Sequence, residues 1–322
     1  MIGFSMSASF LSRLPLSRAE LDRDYLARDR PELFAELAAD PATRVLVLWK
    51  GTTLVTAGAL RLLPWTSVPK AELHLYLGLS LSTTSPEPAG TPIVAAILTD
   101  ETASSLEPDP AAWGNLRTVG TTLDDRDAGL FTEALALANW HSSHGFSPRS
   151  GEPTEPAQGG WVRRSPAHGD TQGHEIFPRT DAAIIVGIID ADDRILLGSN
   201  ALWETNRYSL LAGFVEPGES LEAAVVREVF EESGIRVVDP VYLGSQPWPF
   251  PASLMLGFTA RVDPDQTSTL TPDGAEILDL RWFSREELAA SLDTVVLPGR
   301  TSIARAILEN WYGGTIDDHQ QW

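Results

Sequence analysis

Hydrophobic and polar positions divide the chain into two parts with strong periodicity and a stretch between them that is poor in core formers. Near the start, SRAELDRDYLARDRPELFAELAAD interleaves charges around Leu21, Leu26, Leu33 and Leu37, which predicts one or two surface helices broken at Pro31. RVLVLWKGTTLV (Arg44–Val55) reads as a hairpin turning at Lys50-Gly51, and LHLYLGL (Leu73–Leu79) and TPIVAAIL (Thr91–Leu98) as further strands. His74 sits in an apolar strand and reads as a core histidine rather than a ligand. DAGLFTEALALANWHSSH (Asp127–His144) has helical spacing, with Asp127 as N-cap and Leu130, Ala134, Leu137 and Ala138 on one side. Residues 1–140 therefore read as a small α+β domain, with no catalytic constellation in it.

From Phe146 to Pro178 the composition shifts to Gly, Pro, Ser and Arg. Two knuckles stand out, FSPRSG (Phe146–Gly151) and RRSPAHG (Arg163–Gly169). Ser147 and Ser150, then Ser165 and His168, occupy the positions that cysteines would take in a zinc ribbon. Neutral serine is a poor zinc ligand. His141, His144, His168, His174 and Asp170 offer donors for a rebuilt site, but their spacing fits no common zinc pattern. The expectation for 141–178 is a degenerate, zinc-ribbon-like linker module without structural zinc, packed around Trp161 and Phe146.

Residues 179–322 return to strong patterning. DAAIIVGIID and DRILLGSN predict two strands turning at Ala191-Asp192, and VYLGSQPWPFPASLMLGFTARV predicts a strand, a proline-stiffened loop and a strand. EILDLRWF (Glu276–Phe283) is a further strand, and REELAASL and TSIARAILENWYG are closing helices. Between them, Gly213–Ile235 reads GFVEPGESLEAAVVREVFEESGI, a helix capped by Ser220 and ended by Gly234. On it Glu228, Glu231 and Glu232 fall at i, i+3 and i+4 and share a face, while Ala223, Val226 and Phe230 are expected on the buried one. Carboxylates stacked this closely repel one another, and a hard divalent cation such as Mg²⁺ or Mn²⁺ removes the penalty. Arg227 supplies compensating charge and can orient a neighbouring glutamate.

Composition narrows the possibilities. The 322 residues suffice for two ordinary domains and a smaller piece, and 43% hydrophobic content can fill real cores. A formal charge of −20 argues against nonspecific duplex binding and leaves an anionic substrate to be captured by metal ions and local cations. There are no cysteines, hence no disulfides or thiolate nucleophiles. No apolar run approaches a membrane span, and MIGFSMSASFLSRL reads poorly as a signal peptide, so a cytoplasmic protein is expected.

A second informative stretch is SQPWPFPAS (Ser245–Ser253). Its prolines leave few amide donors; Trp248 and Phe250 offer flat surfaces for a base, and Gln246 and Ser253 can hydrogen-bond a ligand. The alternative is a rigid turn that merely packs an aromatic pair.

Gly213, Glu219 and the run Arg227–Ile235 resemble a complete Nudix box, and the box followed by SQPWPFPAS resembles the NADH pyrophosphatase family of Nudix hydrolases. WHSSHGFSPRSG and RRSPAHG resemble that family's zinc ribbon with serines for cysteines, so the likeness spans essentially the whole chain. The resemblance implies an α/β/α sandwich with a mixed sheet, and metal-dependent hydrolysis of NADH or NAD⁺ to nicotinamide mononucleotide and AMP. It implies removal of NAD caps from RNA as well, and a homodimer with the site near the subunit boundary. The acidic balance leaves any RNA body held weakly or locally; Arg163 and Arg164 are candidate contacts, with a plain surface role as the favoured alternative. It implies that Glu228, Glu231, Glu232 and Glu276 hold the metal and that Glu219 supports the cluster. Phe214 would stack on nicotinamide, while Ser253, Met255 and Ala304 would line its pocket with Gln246 in the selective loop. Phe177 stands where the family often has tyrosine, so a hydroxyl contact there would be missing. The rivals are a Nudix hydrolase of ADP-ribose or a dinucleoside polyphosphate, and a nucleotide sensor without turnover.

Overall fold

The hairpin predicted at Lys50-Gly51 forms because both residues take positive φ, 50° and 78°, the geometry that suits the twist of paired strands. It joins β1 (Arg44–Trp49) to β2 (Thr52–Thr56). β3 (Leu73–Ser80) pairs antiparallel with β4 (Pro92–Ile97), and β4 runs parallel to β1, giving the order β3-β4-β1-β2 at the centre of the sheet. The computed structural model describes residues 10–166, 175–266 and 269–318. The chain divides into two units: Leu16–Thr180 with Trp248–Ala252, and the segment ending at Pro15 with Asp181–Pro247 and Ser253–Trp322.

In the first unit, α1 (Asp125–Ser143) lays Leu130, Ala134 and Leu137 on Leu46, Leu48, Leu75 and Leu77 of the sheet. Its cap is Asp124 rather than Asp127: the Asp124 carboxylate accepts the Asp127 N–H at 2.8 Å. Asp127 is buried one turn in, accepting the Leu60 N–H at 2.7 Å and the Arg126 guanidinium, so it has no freedom to cap. The early leucines also depart from expectation. Leu33 and Leu37 are buried on a helix spanning Leu33–Ala39, but Leu21 lies in a short strand bonded to β3 and Leu26 is 73% exposed. His74 is half-buried and stacks on Trp65 with 4.9 Å between ring centres, and burial lowers its pKa.

The segment 141–178 lies within this first unit and carries a small antiparallel pair, β5 (Glu155–Ala157) and β6 (Val162–Arg164). Trp161 ties it to the sheet, its indole N–H donating to the Tyr76 carbonyl at 2.8 Å, whereas Phe146, expected as a second packing centre, is 65% exposed. At the knuckles the Ser150 and Ser165 hydroxyls each donate to the same Glu152 oxygen at 3.1 Å. Ser147 Oγ accepts the backbone N–H groups of Arg149 and Ser150. A carboxylate thus joins the two loops through hydroxyl groups, and this donor set does not suit zinc. His141 donates from Nε2 to the Gly160 carbonyl at 2.7 Å and accepts Arg163 at Nδ1, so both ring nitrogens are used. Burial first, then the Arg163 charge, outweigh the Gly160 bond and hold its pKa down at about 4. His168, Asp170 and His174 lie outside the described residues.

The second unit is a six-stranded mixed sheet between helices. β7 (Asp181–Ile189) is central, antiparallel to β8 (Ile195–Asn200) and to β9 (Leu211–Phe214). After the box helix α2 (Leu221–Ser233) come β10 (Val237–Trp248), β11 (Ser253–Val262) and β12 (Ile277–Phe283), in sheet order β10-β11-β7-β8-β12. α3 (Arg285–Ser291) and α4 (Ile303–Tyr312) close it. Alternation along β7 serves both faces: Ile184, Val186 and Ile188 pack with α2, and Ile185 with α4. Among the described residues no helix is long and apolar enough to cross a membrane.

Candidate active site

The box helix begins at Ser220, whose hydroxyl accepts the Ala223 N–H at 3.1 Å, and ends at Gly234, with φ 71°. Its buried stripe is Ala224, Val225 and Val229, not the expected Ala223, Val226 and Phe230; Phe230 is 48% exposed and Val226 39%. With Ala224, Val225 and Val229 packed on the sheet, Glu228 and Glu232 border the core and are carried inward. Glu232 is 5% exposed, whereas the Glu231 side chain remains largely in solvent.

Arg227 organises the cluster. Its guanidinium grips both Glu219 oxygens at 3.0 and 2.6 Å, reaches Glu228 at 2.9 Å and Glu231 at 3.0 Å, and donates to the Phe214 carbonyl at 3.0 Å. Glu219 also accepts the Glu216 N–H at 2.9 Å, closing the loop ahead of the helix. The Arg227 bonds first, then that backbone bond, hold the Glu219 carboxyl down at about 2. The same carboxylates push the Arg227 pKa upward.

Glu228 rests against the backbone of β9. A Cβ on Gly213 would stand 2.0 Å from the Glu228 carboxyl carbon, so the glycine is a steric requirement of this glutamate. Burial raises the Glu228 pKa against the pull of Arg227. Burial also lifts Glu232 to about 8, reinforced by the charges of Glu276, Glu228, Asp273 and Glu231. Its Oε2 is buried without a hydrogen-bond partner. Glu276 precedes β12, where the Asp273 carboxylate accepts three successive N–H groups, from Ala275, Glu276 and Ile277, at 3.0, 3.0 and 2.9 Å. Asp273 went unnoticed in the sequence, although Asp-Gly before a β run marks such a turn. Among the described residues no group of three or more His, Cys, Asp or Glu is already gathered at metal-binding distance. The donor chemistry nevertheless fits a hard divalent cation: all oxygen, mutually repelling, with one buried oxygen unpartnered.

Sheet register sets the other candidates. Ala183 of β7 faces Phe214 on one side and Met255 on the other, so the three lie in one row across β9, β7 and β11. Phe214 is 59% exposed, Met255 is half-buried, and Ser253 opens β11 opposite Asp181. Ala304 is buried on α4. Gln246 is fully buried, its amide donating to the Thr301 carbonyl at 3.0 Å, so its side chain supports the backbone before α4.

In the other unit, Trp248 and Phe250 meet edge to face at 4.8 Å and are half-buried. They also pack against the cluster built on α1 and the sheet of that unit. Phe177 belongs to that unit and is exposed. Arg163 is buried on Thr154 and His141, which removes it as an RNA contact, and Arg164 pairs with Glu175 at 2.8 Å.

The NUDIX domain family matches residues 178–305, and the NADH pyrophosphatase-like rudimentary NUDIX domain matches 42–140. A Mycobacterium bovis protein named NAD-capped RNA hydrolase NudC is 47% identical over 216 residues, covering 64% of this chain and 67% of that relative. The chain belongs to the NADH pyrophosphatase family of Nudix hydrolases. A Schizosaccharomyces pombe relative named NAD-capped RNA hydrolase is 35% identical over 233 residues, 65% of this chain and 61% of its own. A solved NUDIX hydrolase from Nitrosomonas europaea is 27% identical, covering 45% of this chain and 97% of that one with a TM-score of 0.33. The Nudix assignment makes Gly213–Ile235 the box, and the rudimentary domain accounts for the sheet built from β1–β4.

Proposed function

We propose that this Nudix hydrolase cleaves the pyrophosphate of NADH or NAD⁺, releasing nicotinamide mononucleotide and AMP, and removes the same group from NAD-capped RNA. The observation that carries the reading is the buried, unpartnered Glu232 oxygen set among the charges of Glu228, Glu231 and Glu276. Those four glutamates would hold Mg²⁺ or Mn²⁺. The chemistry such a cation supplies when bound is neutralisation of the diphosphate oxygens and acidification of water.

The remaining work falls to the protein. Arg227 holds Glu219, Glu228 and Glu231 in one arrangement, and through the Phe214 carbonyl it couples that arrangement to the end of β9. Water attacks one phosphorus, a P–O anhydride bond breaks, and a box glutamate accepts the proton released. Phe214 presents a stacking face for nicotinamide, with Met255 in the same row across Ala183, and Ser253 two residues before it on β11. Gln246 and Ala304, both buried, would support the pocket from the interior, Gln246 through its bond to the Thr301 carbonyl before α4. The enzyme acts in the cytoplasm as a homodimer.

The test is product analysis with Mg²⁺ or Mn²⁺ across NADH, NAD⁺, ADP-ribose, a diadenosine polyphosphate and an NAD-capped RNA. AMP and reduced nicotinamide mononucleotide released preferentially from NADH are expected. Preference for ADP-ribose would reassign the substrate, and no turnover of any would point to a nucleotide sensor.

A further inference from the structure

The chain spends five residues, Trp248–Ala252, in the company of the N-terminal unit before β11 begins at Ser253. Those residues are held by named contacts. The Asn139 side-chain amide, near the end of α1, donates to the Pro249 carbonyl at 2.9 Å and the Pro251 carbonyl at 3.2 Å. Prolines lack N–H groups, so this segment offers few donors for a conventional turn, and an external amide takes over. Arg117 lies over both rings, 4.9 Å from the Trp248 centroid and 3.9 Å from Phe250. The two aromatics also pack against the cluster that contains Leu130, Ala134 and Leu137 of α1.

Two features make this more than ordinary packing. Arg117 and Asn139 both fall inside the rudimentary NUDIX domain, 42–140, which contributes none of the box glutamates. The next residue after the clamped segment is Ser253, and Met255 follows two positions later in the row with Ala183 and Phe214. The backbone that delivers Ser253 and Met255 is therefore tethered at its upstream end to the N-terminal domain.

We propose that Asn139 and Arg117 are positioning residues for substrate selection: by fixing the backbone of Pro249–Pro251 they set where Ser253 and Met255 stand. This rests on the reading above that Ser253 and Met255 face the nicotinamide half of the substrate. The rudimentary domain thereby tunes recognition without touching the metal cluster.

The test compares Asn139→Asp, Asn139→Ala and Arg117→Lys with the wild-type chain, each checked by thermal melting. Asn139→Asp keeps the shape but sets carboxylate oxygens against the two carbonyls; Arg117→Lys keeps the charge but loses the planar stack. KM and kcat are measured for NADH and for ADP-ribose, which lacks nicotinamide. The expected result is a KM for NADH raised about five- to tenfold, with kcat for NADH and both constants for ADP-ribose within about twofold. Variants that melt like wild type and keep its NADH KM overturn the proposal. So does an equal loss on both substrates, which would mark a structural role alone. A wild-type chain without NADH preference refutes the substrate reading itself and the proposal with it, an outcome distinct from the variants' failure.

Discussion

Replacing Gly213 by alanine tests the geometry of the box at one atom. The added Cβ would lie 2.0 Å from the Glu228 carboxyl carbon and 2.1 and 2.4 Å from its oxygens, while ordinary contact begins at 3.4 Å. The carboxylate must therefore retreat by about 1.4 Å, the difference between 3.4 and 2.0 Å. Gly213 is not among the glycines with positive φ, so alanine meets no backbone penalty and the effect is steric. Its pairing with Ile184 keeps the strand from moving aside, which leaves the Glu228 side chain to give way. Misplacing a catalytic group by about 1 Å costs on the order of a hundredfold. Gly213→Ala should lower kcat by about that factor, with little change in melting temperature. Steady-state turnover of NADH, titrated with Mg²⁺ and Mn²⁺, measures it. Because the loss acts through Glu228, Gly213→Ala added to Glu228→Ala should cost almost nothing further. A single variant that keeps kcat within threefold, or a double variant that loses activity additively, would refute the reasoning.

Arg227→Lys replaces a fork that grips Glu219 at two oxygens with a point charge, so kcat should fall about a hundredfold; NMR titration should find the Glu219 pKa risen from about 2 towards the usual carboxylate range. Burial lifts Glu133 from 4.5 to about 7, against the opposing charges of Arg23 and Arg28. The native state then holds a proton that the unfolded chain releases above pH 4.5, so stability is greatest below that pH and falls as pH rises through 7. Over that window the loss is at most about 3.5 kcal/mol, from 2.5 pH units at about 1.4 kcal/mol each; Glu133→Gln should remove that pH-dependent loss, and an unchanged slope of stability against pH would contradict it. Glu152→Ala removes the acceptor shared by Ser150 and Ser165 and should cost about 1–3 kcal/mol of stability in chemical denaturation. A zinc chelator should leave the wild-type melting temperature unchanged, and a drop would mean the knuckles do use metal.

Much of the site is legible as spacing. Three glutamates at i, i+3 and i+4, capped by Ser220 and Gly234, follow from helix geometry that the local sequence sets. What escaped is rotational and long-range. Ala223, Val226 and Phe230 satisfy the same helical period as the true stripe, and only the sheet beneath chooses Ala224, Val225 and Val229. Asp124 and Asp127 are equally good caps in isolation; the distant N–H of Leu60 takes Asp127 and leaves the cap to Asp124. Nothing near Gln246 in the sequence announces that its amide donates to the Thr301 carbonyl, 55 positions away.

The sequence by itself determined the family, the hairpins, both ends of the box helix and the list of carboxylates, because each depends on residues within a few positions of one another. Tertiary structure decided that Glu232 is the buried carboxylate, that Gly213 must stay bare beside Glu228, and which domain holds the proline loop. Those outcomes depend on burial and contact between residues fifteen to more than a hundred positions apart, and local patterning carries no information about which distant atom will arrive.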